Sequence, residues 1–458
     1  MLRPIAITAT LLVLQGILVW WVGLDAILGA LQAAARVLGI PYNTLVVLLG
    51  TGLLGLASAT AGTFAVLRGR ALVGDAVAHS ALPGLAIAYM VWGSRNFMVM
   101  LAGAAVTGLL GTWCIAWLTR HTRIKADAAI GGTLSVLFGL GLVLSRIVQD
   151  DPSGQQAGLD SFLLGKTAGM VAQDVLLIAL VALNVLIVIG LLYKEFKVIT
   201  FDPAFAAVQG LPVLFLDGLL LSLVVATTII GLPAVGVVLM AALLILPGVA
   251  ARFWSDRLSV ILALAGVFGL ATGLLGTWAS ATWSNVPAGA IIVLTGAAIF
   301  IVSTLAAPRR GILGRALAEA RSAARITRDH LLKALVEAEE AGKDALSGKS
   351  LPELMGISRF RAVFLVFFMV RRGVIVARGD SLSLTDSGRA AGIHVVKAHR
   401  LWEVYLVEHA DIPPDHVHRD ADEIEHVLSP GMVAELERRL AARGEGLPTP
   451  VHAPGREA

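Results

Sequence analysis

The feature that most constrains this chain is a series of apolar runs, each roughly twenty residues long, filling its first 307 residues. A helix rises about 1.5 Å per residue, so one such run crosses the roughly 30 Å of hydrocarbon in a bilayer. Within that layer every backbone polar group must be satisfied inside the protein, which admits helices or a closed barrel. Runs this long and unbroken select helices. They lie near residues 5–23, 43–67, 74–92, 97–119, 128–148, 172–193, 212–250, 258–277 and 287–306. Gly231 and Pro233 interrupt the 212–250 run, which therefore counts twice and brings the total to nine or ten spans. The first run follows Arg3 and has some features of a cleaved secretory signal, with Ala33 and Ala35 as a small-residue pattern; its length favours an uncleaved helix.

Charge is sorted along the chain. Only 14 of the 36 Lys+Arg and 11 of the 32 Asp+Glu fall in residues 1–307. With the amino terminus in the cytoplasm, Arg3, Arg68, Arg70, Arg120, Arg123, Lys125, Lys194, Lys197, Arg252 and Arg257 lie inside. Arg36, Arg95, Arg146 and Lys166 then lie outside, and this positive-inside bias supports that orientation. An even number of spans leaves the carboxy-terminal third in the cytoplasm. The single cysteine, Cys114, excludes an intramolecular disulfide and a thiolate metal cage. A net charge of +4, evenly mixed in the tail, gives no case by itself for nucleic acid.

Four ionisable residues in or at the start of the spans carry the chemistry: Asp75, His79, Asp174 and Asp217. Asp75 and His79 are four apart, which puts a carboxylate and an imidazole on one helix face. Ionisable groups in a span are costly against lipid and usually line a pathway. Oxygen with imidazole nitrogen is a ligand set for Mn²⁺, Zn²⁺ or Fe²⁺. The competing reading makes Asp75 a helix cap after Gly74 and leaves His79 bonded to a neighbouring carbonyl. Asp217 either lines the pathway or bonds a neighbouring helix, and the second reading is preferred. Leu163 to Thr167, LLGKT, imitates the end of a phosphate-binding loop, but that pattern needs glycine where Asp160 stands. Energy for any transport must therefore come from a partner.

Further along, Asp202 and Pro203 begin a short helix that Gly210 and Pro212 end, between two spans on the positive side. After Pro308 a basic run, Arg309, Arg310 and Arg315, opens a linker over 308–325. Residues 326–458 read as a separate domain: a helix over 328–343, a helix-turn-helix over 349–375, and a two-stranded wing running into a helix over 374–392. The fold class expected is thus an all-α polytopic membrane unit, residues 1–307, followed by a cytoplasmic winged helix with a helical dimerisation-like region.

Two resemblances sharpen these readings. Residues 68–84, RGRALVGDAVAHSALPG, resemble the signature of the ABC-transporter permeases for manganese, zinc and ferrous iron. Similar text follows in order at 123–144, 200–212 and 235–252. The resemblance implies that Asp75 and His79 are intramembrane metal ligands. It implies also that Phe201, Asp202, Pro203, Ala204, Phe205 and Gly210 dock on an ATPase. The partners it implies are that ATPase subunit, an extracytoplasmic metal-binding protein and a second permease, all at the bacterial cytoplasmic membrane. The chain itself would not be an enzyme and would hold no permanent cofactor, only the transported Mn²⁺, Zn²⁺ or Fe²⁺.

The tail, from about 326 to 455, is similar to the diphtheria-toxin-repressor class of manganese- and iron-dependent regulators. That likeness implies regulatory metal ligands at Asp329, His399, Asp422, Glu425 and His426, with Leu332 standing where a further ligand belongs. His416 and His418 read as solvated surface residues. The helix that would read DNA carries Phe360, Phe364, Phe367 and Phe368, with Arg359 and Arg361 as the main donors near its start. Base reading needs polar side chains, so DNA is not the expected partner. A membrane-tethered transcription regulator is the alternative. An ion-coupled carrier is a third class, but it has no use for a docking segment.

Overall fold

A computed structural model describes residues 24–93, 96–149, 165–283, 286–308, 310–343 and 345–409, with 431, 432, 435 and 438. The chain divides into two compact units, Met1–Arg315 and Ala316–Ala458. The expected first span, 5–23, lies outside the described residues.

The first unit is helical. Its helices are α1 (Leu24–Leu38), α2 (Tyr42–Leu67), α3 (Val73–Trp92), α4 (Phe97–His121), α5 (Ala126–Gln149) and α6 (Ala172–Leu191). After them come the short α7 (Tyr193–Phe201) and α8 (Pro203–Val208), then α9 (Val213–Val235), α10 (Val237–Arg252), α11 (Leu258–Thr282) and α12 (Ala288–Ala306). Seven of them, α2, α4, α5, α6, α9, α11 and α12, are long and apolar enough to cross a membrane. Among the other five, α3 and α10 fall short for physical reasons. In α3 a carboxylate, an imidazole and Pro83 dilute the apolar run, and α10 has only 16 residues. Ala33 and Ala35, read above as a cleavage pattern, stand inside α1.

Small residues let these helices approach closely. The hub is α2, which packs against α6, α9, α10 and α11. A side chain at Gly55 would collide with the Gly269 carbonyl, and one at Gly84 with that of Gly103. Between α2 and α11, Thr51 Oγ1 lies 2.9 Å from Thr277 Oγ1.

The 212–250 run does count as two helices, but Gly231 and Pro233 do not break it. Both lie inside α9, and the break falls at Gly236, whose φ of 83° is a conformation that favours glycine. The Pro233 carbonyl accepts the Lys166 N–H at 3.0 Å, which fastens the end of α9 to the Lys166 segment. Gly165, with φ 74°, packs its Cα so tightly on Val235 that a Cβ would not fit. The described part of the LLGKT segment is thus a tight seam against the α9–α10 break.

The second unit begins within α13 (Ile312–Glu340). The stretch expected as a linker is helical from Ile312, because it is rich in Ala, Leu, Arg and Glu and has no glycine or proline after Gly314. Then follow β1 (Leu346–Ser347), α14 (Leu351–Leu354), α15 (Arg359–Arg371), β2 (Ile375–Arg378), β3 (Ser381–Leu384) and α16 (Asp386–His409). The strands form one antiparallel sheet in the order β1-β3-β2, with Ile375 opposite Leu384 and Arg378 opposite Ser381. This is a winged helix: α14 and α15 are joined by a turn in which Gly356 has φ 60°, and β2–β3 is the wing. Its core is Leu331, Leu332, Leu335, Leu351, Ala362, Met369, Ile375 and Leu382.

Candidate metal pathway and docking surface

Asp75 and His79 lie in the first two turns of α3, a helix lined on most sides by α4, α5, α9 and α10. His79 Nε2 is 3.5 Å from Asp75 Oδ1, and the two side chains are 20% and 31% exposed. The ring is held edge-on against Phe138 of α5, with centroids 4.6 Å apart. Its other nitrogen, Nδ1, is buried and has no hydrogen-bond partner. A buried imidazole nitrogen without a partner is costly, and an incoming cation would satisfy it. The competing reading, in which His79 bonds a neighbouring carbonyl, finds no such bond at Nδ1. Two ligands do not complete a shell, and no group of three or more His, Cys, Asp or Glu able to hold a metal occurs among the described residues.

Asp217 has a different role. It sits in the second turn of α9, 4% exposed, and binds three guanidinium groups. Arg68 Nη1 is at 2.5 Å, Arg70 Nη1 at 3.3 Å and Arg120 Nη2 at 3.7 Å. Burial pulls the Arg68 pKa down from the usual arginine value, and Asp217 works against that shift. The cluster ties the end of α2, the turn into α3, the end of α4 and the start of α9 to one side of the bundle. At the opposite side, Asn43 donates to the Ala168 carbonyl at 3.2 Å and Lys166 to Pro233. Asp174 caps the start of α6, accepting the Val171 N–H at 3.0 Å. It also helps line a cavity of about 290 Å³ with Lys166, Met100 and Met170, and that cavity does not reach Asp75 or His79.

The α7–α8 segment is built as its sequence suggests. Asp202 caps α8, its Oδ1 accepting the Phe205 N–H at 2.8 Å, and Pro203 occupies the first turn. Gly210, with φ 76°, ends it. Ala206 and Ile199 are buried and anchor the segment, while Phe201, Phe205 and Val208 stand exposed. A rigid knob of this kind suits a groove on another protein.

In the tail, Asp329 of α13 is buried and paired with Arg328 at 2.7 Å. His399 of α16 is 2% exposed, and its Nε2 lies 3.0 Å from Lys333 Nζ. Lys333 stands one turn after Asp329, so a lysine nitrogen occupies the space beside the imidazole that a metal would need. Sequence reasoning passed over Lys333 because nothing local ties it to a histidine 66 residues away. Leu332, at the position of a lost ligand, is a core residue. Asp422, Glu425, His426, His416 and His418 lie outside the described residues.

A bundle of apolar helices packed around one helix with a half-buried carboxylate and imidazole is the architecture of a polytopic membrane protein. The chain belongs to the ABC 3 transport family, whose pattern matches residues 42–307. Residues 385–444 match the iron dependent repressor, metal binding and dimerisation domain. It is 39% identical over 386 residues to the manganese transport system membrane protein MntC of Bacillus subtilis, covering 83% of this chain and 89% of that one. Against the zinc transport system membrane protein TroC of Treponema pallidum it is 42% identical, over 59% of this chain and 91% of the other. The solved structure of PsaBC from Streptococcus pneumoniae in complex with Fab is similar with a TM-score of 0.53 and 28% identity, over 62% of this chain and 97% of that one.

Proposed function

We propose that this chain is the membrane-spanning subunit of an ABC importer for a divalent transition metal, Mn²⁺, Zn²⁺ or Fe²⁺, and that it passes its substrate along Asp75 and His79. The observation that carries this is His79, whose Nε2 lies 3.5 Å from the Asp75 carboxylate and whose Nδ1 is buried without a hydrogen-bond partner. A carboxylate and an imidazole from each of two permease copies would give a set of four ligands, enough for Mn²⁺ or Zn²⁺. An extracytoplasmic binding protein delivers the metal, and a partner ATPase, docked on Phe201, Asp202, Pro203, Ala204, Phe205 and Gly210, drives its release into the cytoplasm. The excess of basic residues on the Arg68–Arg120 side supports placing that side, and with it the tail, in the cytoplasm.

Asp75→Asn and His79→Ala should each abolish metal uptake by cells at unchanged membrane abundance. Uptake within twofold of the parent in both variants would end this reading. Phe205→Cys should crosslink to the co-expressed ATPase in a transport-competent complex. Labelling of that cysteine from outside the cell would reverse the topology.

For the tail we propose a metal-responsive or structural module with weak DNA recognition. Asp329, His399, Asp422, Glu425 and His426 are its candidate ligands, and Lys333 beside His399 lowers the affinity expected of them.

A further inference from the structure

The exposed face of α15 is the wrong chemistry for its place in a winged helix. Phe360, Val363, Phe364, Phe367 and Phe368 recur at helical spacing, and all are exposed, Phe360 to 81%. An apolar face of this extent on a water-soluble domain marks a contact surface. It lacks the amide and carboxylate groups that read base edges.

What flanks the stripe identifies its partner. Arg359 and Arg361 stand at the start of α15, and Arg371 and Arg372 at its end; the helix contains no acidic residue. The terminal guanidinium groups lie over the aromatic rings, Arg371 5.4 Å from the Phe367 centroid and Arg372 4.3 Å from that of Phe368. Arginines stacked at the margin of an aromatic face can keep their charge at the polar boundary while the rings go into an apolar layer. Aromatic side chains on one face with basic residues around them are the composition of helices that lie in a membrane interface. Basic charge near such a surface is drawn to anionic headgroups. The last span ends at Ala306, about fifty residues before Arg359, so this helix is tethered to the bilayer that the chain spans.

We propose that α15 docks on the surface of the membrane that the chain itself spans, with its phenylalanines among the acyl chains and its arginines on anionic lipid headgroups. The phosphate contacts that a winged helix makes with DNA are here redirected to lipid phosphate. The proposal rests on the cytoplasmic placement of the tail, where anionic lipid faces it.

The test uses the full chain with Cys114→Ser and Phe364→Cys, spin-labelled and placed in lipid nanodiscs. One set of discs is phosphatidylcholine alone and the other is equal parts phosphatidylcholine and phosphatidylglycerol. In anionic discs the label should become accessible to oxygen and several-fold less accessible to a water-soluble nickel relaxant. Changing Arg359, Arg361, Arg371 and Arg372 together to Gln should reverse this. A label at Lys349→Cys, exposed elsewhere on the tail, should stay in water throughout. An aqueous label at position 364 in both lipids would overturn the proposal. Equal shielding in both lipids and in detergent would overturn it in favour of a protein contact with the permease or a second tail. Displacement from anionic discs by duplex DNA at moderate salt would overturn it in favour of a nucleic-acid site. Impermeant labelling of Lys349→Cys in cells reports the side of the tail, and metal uptake reports transport, so failure of either is read separately from failure of lipid docking.

Discussion

The two units handle polarity in opposite ways. In the membrane unit apolar exposure is the rule, as with Val136 and Val143 on α5, and the informative groups are polar ones held inside, Asp75, His79 and Asp217. In the tail the interior is leucine-rich and the informative groups are apolar ones held outside, the phenylalanines of α15. The same fractional exposure is thus ordinary for a valine on α5 and a signal for a phenylalanine on α15, because the solvent differs. Each unit has its candidate site where it breaks its own solvent's rule.

The largest effect expected from this contrast is at Asp217. Asp217→Ala leaves Arg68, Arg70 and Arg120 without their shared carboxylate in a largely buried place, and loss of one partner of a buried ion pair costs about 3–5 kcal/mol. Thermal unfolding of the purified protein in detergent should show a large drop, with reduced yield. Asp256→Ala is the matching control. Asp256 also pairs with an arginine, Arg310, but both are exposed, and such pairs are worth about 1 kcal/mol or less. Equal behaviour of the two variants would show that burial does not set the value of charge here.

How far the sequence reaches follows the same division. Helix placement was legible because hydrocarbon thickness fixes the length of each run. The pairing of Asp75 with His79 was legible because helical spacing fixes it. The break at Gly236 was missed in favour of Gly231 and Pro233, since α9 carries Pro233 to within two residues of its end and the positive φ that breaks the run falls on Gly236. Asp217 could be read as bonding a neighbouring helix, but its three arginines could not be named, because two of them lie nearly 150 residues before it in the chain. The stretch 308–325 reads as a linker of helix-like text, and its alanine and leucine content makes it helical from Ile312.

A smaller effect separates a lost ligand from a core residue in the tail. Leu332 stands where the resemblance expects a metal ligand, yet it is 1% exposed in the cluster around Leu331, Leu335 and Met369. Leu332→Glu should therefore not restore metal affinity but destabilise the tail, by the roughly 2–5 kcal/mol typical of losing a buried leucine. Protease sensitivity of the tail in the intact protein reports the loss, and Mn²⁺ or Zn²⁺ titration reports affinity. Tighter metal binding without increased cleavage would mean that the site around His399 tolerates a ligand there, and that Lys333 yields to a cation.

The smallest effect is expected at the stripe itself, and its smallness is what it tests. A phenylalanine that holds a domain together costs about 3–5 kcal/mol when truncated, whereas an exposed residue away from caps and networks changes stability by about 0.5 kcal/mol or less. Phe360 and Phe364 contribute nothing to the cluster that includes Ala362 and Met369 on the other side of α15. Phe360→Ser with Phe364→Ser should leave protease resistance of the tail in detergent unchanged while making the purified protein less prone to associate. A marked loss of resistance would show that the phenylalanines are part of the tail's own packing, and the contrast between an apolar exterior in lipid and one in water would then fail at its most exposed residues.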